Sequence, residues 1–211
     1  MYNMVMKILI AVPTFENITP DTFKSIYELN RGNFETEFTF IRGYDCAKAR
    51  NKIAEEALNR KTDYVLMVDS DIILPKNALT NLIEGLPEVC FGYCVRHKSS
   101  KKTAHTETAI NKPGDSNTNP FFTNELIEKR NNGIFRLPIR SAGAACALIQ
   151  TKVFEKLEYP WFDYISYKNK TFLSEDYYFC KKCRDAQIPL CVDTRVACGH
   201  RFISFQNVEG A

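Results

Sequence analysis

The run Tyr64-Val65-Leu66-Met67-Val68 carries no charge and ends on Asp69-Ser70-Asp71. An apolar run this short, followed at once by polar residues and Pro75, reads as a strand buried on both faces rather than as a piece of buried helix. Such a strand belongs inside a parallel sheet covered by helices, so it constrains everything around it. Ligands of open parallel sheets bind outside the carboxyl ends of the strands, which is where Asp69 and Asp71 fall. Two carboxylates there repel each other unless a cation or a donor network joins them. A hard divalent ion suits the pair, because Mg2+ is usually held by one or two carboxylates plus substrate phosphates. Taken alone, the triplet also reads as a turn and helix cap before Asn77 to Glu84, since Asp and Ser favour both.

The rest of the chain repeats the pattern. Lys7 to Val12 is a second apolar run, stopped by Pro13-Thr14. Thr19-Pro20-Asp21 starts a helix with a cap, a proline and an acid, and Gly32 follows its end. Glu37 to Ile41 is strand-like. Asp45 to Arg60 is helical, with Ala47, Ala54, Ala57 and Leu58 inward and Arg50 and Asn51 near its first turns. Asn77 to Leu86 gives a short helix and Val89 to Val95 a further strand. This alternation argues for an α/β parallel sheet in a single domain spanning 1–211.

Residues 97–132 break the pattern. They hold Lys98-Ser-Ser-Lys-Lys, which reads as a solvated basic face, Pro113-Gly-Asp-Ser-Asn-Thr-Asn-Pro120, and a weak helical pattern over Asn124 to Arg130. Long insertions of this kind are commonly functional lids, so a flexible insert is expected, mobile without ligand. Strand-like order returns at Gly133 to Ile139 and Ala145 to Gln150. Thr151 caps a short helix to Leu157. Ser174 caps another that opens Glu175-Asp176 and runs to about Ala186. Leu190 to Val192 and Thr194 to Ala197 lead to Gly199-His200.

Composition excludes several classes. A formal charge of +3 is too small to argue for nucleic acid. No run approaches a membrane span, and Ile8 to Val12 stops at a proline with no small-residue cleavage site after it, so a first strand is expected and not a signal peptide. Eight cysteines in 211 residues do not make a disulfide scaffold; thiols in a reducing cytoplasm are expected. Cys180-Lys-Lys-Cys183, with Cys191 and Cys198, raises structural zinc, but a second Cys-x-x-Cys is missing.

Five features stand in order: the Lys7–Val12 strand ending Pro13-Thr14-Phe15, Arg50-Asn51, Asp69-Ser70-Asp71, Ser174-Glu175-Asp176, and Gly199-His200. This arrangement resembles the small GT-A glycosyltransferases, especially the family-two-like group, over nearly the whole chain. The resemblance implies a GT-A, Rossmann-like, mostly parallel sheet with helices on both faces. It implies that Pro13, Thr14 and Phe15 receive the nucleotide base and that Arg50, Asn51, Asp69 and Ser70 face the nucleotide and sugar. Asp69 and Asp71 would hold the metal with the nucleotide, Asp71 as direct ligand and His200 completing the site. Glu175 and Asp176 would lie on the acceptor side, with Asp176 the base of an inverting reaction; Gly143 and Trp161 fall where relatives place the donor-sugar and acceptor walls.

The expected function is thus a metal-dependent transfer, with Mn2+ or Mg2+, of a sugar from a nucleotide-diphosphate sugar to a glycan, protein, lipid-carrier or modified-nucleobase acceptor. Read without the resemblance, Glu175 and Asp176 are first-turn acids favoured by the helix dipole, and His200 is a hydrogen-bonded core residue. Two other functions share the pattern. A nucleotidyltransferase would need a Gly-rich phosphate loop after its first strand, where this chain has Pro13-Thr-Phe-Glu-Asn-Ile. A non-catalytic nucleotide-sugar-binding module has no need of Glu175 and Asp176.

Overall fold

Alternation within the first strands sets the architecture. Leu9 and Ala11 point to one side of the sheet and Ile8, Ile10 and Val12 to the other, each with 0–1% exposure. Val65 and Met67 join the first side, and Tyr64, Leu66 and Val68 the second. Two apolar faces need two helical layers. The computed structural model describes residues 5–94, 107–114, 119–167 and 172–201.

The first half comprises β1 (Lys7–Thr14), α1 (Pro20–Tyr27), β2 (Glu35–Arg42), α2 (Cys46–Asn59), β3 (Tyr64–Val68), β4 (Ile72–Ile73), α3 (Ala78–Ile83) and β5 (Val89–Tyr93). Next come β6 (Glu107–Asn111), β7 (Pro120–Phe122), α4 (Thr123–Asn131), β8 (Arg136–Pro138), β9 (Ser141–Ala142) and β10 (Cys146–Gln150). The chain continues through α5 (Lys152–Lys156), β11 (Ile165–Ser166), β12 (Phe172–Leu173), α6 (Glu175–Asp185), β13 (Leu190–Ala197) and β14 (Gly199–His200).

Seven strands form the central sheet in the order β2-β1-β3-β10-β5-β13-β8. β10 and β8 run against the other strands, so the sheet is largely, not wholly, parallel. Helices α2, α5 and α6 cover one face, with Ile53, Ala57, Phe154 and Phe179 packed into it. Helices α1 and α3 cover the other through Ile26, Leu79, Leu82 and Ile83. Each fully buried aliphatic side chain in these layers contributes about 1.5–3 kcal/mol.

Several boundaries differ from expectation. The two short runs expected before Ala197 are one strand, β13, with an irregularity between Val192 and Ala197. There Asp193 is wholly buried against the guanidinium groups of Arg136 and Arg195 at 3.1 and 2.7 Å. Ser174 occupies the N-cap position of α6, but its hydroxyl makes no cap hydrogen bond; neither does that of Thr151 before α5.

Residues 97–132 depart furthest. Their described part is folded onto the domain: β6 pairs with β7 and β9, and Ile110, Phe121 and Leu126 join the main apolar cluster. The polar positions that disguised this stretch are buried and satisfied. Thr108 donates to Phe121 O at 2.9 Å, and Asn111 donates to Ser141 Oγ and Tyr177 Oη at 2.9 and 3.0 Å. The basic run Lys98 to Lys102 and residues 115–118 lie outside the described residues.

Candidate active site

Helix α2 begins at Asp45, whose carboxylate accepts from Lys48 N at 3.0 Å. Ala47, Arg50, Ala54 and Ala57 then recur at three- and four-residue spacing and share a face. That face is buried, so Arg50 is carried inward with only 3% of its side chain exposed. A buried guanidinium must find carboxylates, and it finds two. Both of its terminal nitrogens donate to Asp69 Oδ1, at 3.0 and 2.9 Å, and its Nε lies 3.5 Å from Glu175 Oε1. Arg50 thereby ties the carboxyl end of β3 to the first turn of α6.

The outer acid of each pair has different partners. Asp71 Oδ2 lies 3.1 Å from His200 Nε2. The short β4–β14 ladder produces that approach by pairing Ile72 with His200, and Arg201 N donates to Asp71 O at 3.0 Å. Asp176 Oδ1 accepts from Tyr177 N at 2.7 Å and from the Ser174 hydroxyl. Its other oxygen is directed toward Gly143, where an added Cβ would sit 3.5 Å away. The tighter contact of such a Cβ would be with Ala109 Cβ, at 3.1 Å.

Burial pushes the Asp69 carboxyl up; the Arg50 charge opposes it, and Asp71 and Asp176 add to the rise. Glu175 is likewise raised by burial, against Arg50 and with Asp176. For Arg50, burial works against the charge, but Asp69, Glu175 and Asp176 outweigh it and hold the guanidinium above its ordinary value. Asp69 and Glu175 therefore each feel neighbouring carboxylates around a single buried arginine.

An open cleft of about 350 Å³ lies at this edge, lined by Pro13, Thr14, Phe15, Tyr44, Asp45, Cys46, Ala49, Asp69, Ser70 and Asp71. Phe15 leaves 71% of its surface exposed there. Thr14 points its hydroxyl to Asn17 O at 2.8 Å and so shapes the loop. Of the residues expected at a nucleotide site, Pro13, Thr14, Phe15, Asp69 and Ser70 line the cleft, and Arg50 stands behind Asp69.

Asn51 does not face the cleft. Its amide donates to Phe162 O at 2.8 Å and accepts from Trp161 N and Phe162 N at 3.1 Å, clamping that backbone. Trp161 is core: it is 7% exposed, and its indole donates to Phe154 O and Leu157 O at 2.9 and 3.1 Å. Asp69, expected as a metal ligand, has one carboxylate oxygen committed to Arg50. Tyr44 and Tyr164 were not anticipated. The Tyr164 phenol is pushed up to about 12, first by burial and then by Glu175, Cys46 and Asp45. Nothing in the local sequence marks either tyrosine, because each reaches the site through loop geometry.

Among the described residues, no group of three or more His, Cys, Asp or Glu side chains is arranged to hold a metal ion. That covers Cys180, Cys183, Cys191 and Cys198; all eight cysteines are free thiols. Asp71 and His200 do present two donor atoms side by side. An ion held by two protein ligands must draw the rest from substrate or water, as Mg2+ commonly does.

Fold and site together define a mixed α/β domain with an acidic cleft at the carboxyl ends of its parallel strands. Among solved structures, the crystal structure of A197 from STIV shares this fold, with a TM-score of 0.61 and 15% identity over 94% of this chain and 87% of that one. No family profile matches the chain, and no curated protein matches it. No helix among the described residues is long and apolar enough to cross a membrane.

Proposed function

We propose that the protein is a GT-A-type glycosyltransferase that moves a sugar from a nucleotide-diphosphate sugar to an acceptor hydroxyl or amine, with inversion. The observation that carries the reading is the Asp69–Arg50–Glu175 bridge. It links two acidic pairs, Asp69 with Asp71 and Glu175 with Asp176, through one buried arginine, and this reaction needs acids on two sides of the anomeric carbon.

The residues divide the work. Phe15 offers an exposed aromatic face for a base. Asp71 and His200 would hold Mn2+ or Mg2+, and the excess of carboxylates over cations favours a divalent ion there. When bound, the ion supplies Lewis-acid neutralisation of the leaving diphosphate. Asp176 takes the acceptor's proton on the oxygen that faces Gly143, because its other oxygen is occupied by Ser174 and Tyr177. Glu175, held by Arg50, orients the start of α6.

The test is thermal unfolding with uridine, guanosine, adenosine and cytidine diphosphates, with and without Mn2+. A nucleotide at about a hundred times its dissociation constant adds roughly 2.7 kcal/mol. Stabilisation by at least one nucleotide should require the ion, and Asp71→Asn should abolish that ion-dependent stabilisation. Equal stabilisation in EDTA would sink the reading.

A further inference from the structure

A second reactive centre lies in the sheet, away from the acidic cleft. Cys90 on β5 and Cys191 on β13 are register partners in neighbouring parallel strands. Both side chains belong to the same face, packed with the α3 layer. Neighbouring strands lie about 4.8 Å apart, inside the Cα separation of about 4.4–6.8 Å that a disulfide requires. Cys90 is wholly buried, whereas Cys191 is only partly so.

The neighbours favour a thiolate at Cys191 over one at Cys90. Arg136 Nη1 lies 3.7 Å from Cys191 Sγ. That guanidinium cannot swing away: its Nη2 donates to Asn81 O, Leu82 O and Glu84 O at 2.6–2.8 Å, and its Nε is 3.1 Å from Asp193 Oδ2. The carbonyls at the end of α3 thus aim a fixed cation at one sulfur. As a thiol, Cys191 donates to Val89 O at 3.4 Å. As a thiolate, it accepts instead from Arg136, and the neighbouring Cys90 thiol also favours the charge. Those two groups favour its charge, and burial and Asp193 oppose it. The balance brings Cys191 below the ordinary thiol value, while Cys90 is driven up. A low-lying, partly accessible thiolate beside a buried partner thiol is the arrangement that peroxides oxidise selectively.

We infer that Cys191 and Cys90 form a redox-active dithiol, with Cys191 the thiol that reacts with hydrogen peroxide and Cys90 the one that resolves it. The Cys191 thiolate attacks one peroxide oxygen. The O–O bond breaks, hydroxide leaves and takes up a proton as water, and Cys191 becomes a sulfenic acid. The Cys90 sulfur then attacks the Cys191 sulfur. The S–O bond breaks, an S–S bond forms, and the hydroxyl departs as water with the Cys90 proton. Two thiols have lost two electrons, and one peroxide has become two waters. The disulfide cross-links β5 to β13 and removes the thiolate opposite Arg136.

The test treats the full chain with a few equivalents of hydrogen peroxide, blocks remaining thiols with N-ethylmaleimide and maps peptides by mass spectrometry. The protein should lose two of its eight thiols and yield a Cys90–Cys191 linked peptide that dithiothreitol abolishes. In Cys90→Ser the reaction should stop at a sulfenic acid on residue 191 that dimedone captures. Independently of any variant, iodoacetamide should alkylate Cys191 with a half-maximal rate below the ordinary thiol value of about 8.5, with Cys94 and Cys180, each pushed up to about 12, unreactive there. Peroxide oxidation that leaves no Cys90–Cys191 peptide would overturn the inference. So would alkylation of Cys191 only around the ordinary thiol value of about 8.5.

Discussion

The acid pair after β3 and the acid pair opening α6 are built alike and used differently. Each has an inner carboxylate, Asp69 or Glu175, braced on Arg50, and an outer one, Asp71 or Asp176, with partners of its own. The inner members are joined to each other through one buried guanidinium. The outer members differ in surroundings: Asp71 Oδ2 meets His200, and Asp176 Oδ2 lies beside Gly143. The proposed division gives architecture to the inner acid of each pair and chemistry to the outer one.

Removing the shared brace should have the largest effect. Arg50→Ala leaves two carboxylates without their cation, and breaking a buried pair in this way costs about 3–5 kcal/mol. Urea denaturation should show a loss of that size. A loss below about 1 kcal/mol would mean that the inner acids do not depend on Arg50, and the division between inner and outer would fail. Second in size is an outer change. Asp176→Asn keeps the shape and removes the proton acceptor, so turnover should fall at least ~100-fold, with stability and nucleotide affinity close to wild type. Transfer at near wild-type rate, or a product that retains the donor's anomeric configuration, would remove Asp176 from the role of base.

The smallest effect sharpens the contrast through pH. Glu175 is raised by burial against the opposing charge of Arg50. A carboxyl raised in the folded state binds its proton more tightly there than when unfolded. The stability this contributes is fully present below the ordinary carboxylate value of about 4.3 and is lost as pH rises through the raised one. Glu175→Gln should therefore flatten the decline of urea midpoints across that window. An identical slope in the variant would show that Glu175 is not buried as a charged partner of Arg50.

Strands such as Lys7 to Val12 and Tyr64 to Val68 were legible because an uncharged run between polar stops has few other fates. Their carboxyl ends located Asp69 and Asp71 for the same reason. Three things could not be read. The direction of β10 was hidden, since Cys146-Ala-Leu-Ile-Gln150 is apolar whichever way it runs. The packing of β6 was masked because Thr108 and Asn111 look like loop residues until their hydrogen-bond partners arrive from Phe121, Ser141 and Tyr177. The Arg50–Glu175 contact joins residues far apart in sequence, and a helical face shows only that Arg50 points inward, not what meets it. Asn51 was misread because an amide beside a functional arginine looks like a ligand contact; its partners, the Trp161 and Phe162 backbone, leave no local trace.

The placement of β10 between β3 and β5 also governs how the chain is made. When the first half leaves the ribosome, β1, β2 and β3 can pair with one another, but β5 has no neighbour among them in the finished sheet. The gap closes only when residues 146–150 emerge and pair with strands on both sides. Until then β3 and β5 each present a bare apolar edge, the kind that recruits strands from other chains. A nascent or truncated chain ending before Cys146 is therefore expected to be aggregation-prone and to need a chaperone's cover, with cooperative folding arriving only once its central strand is in place.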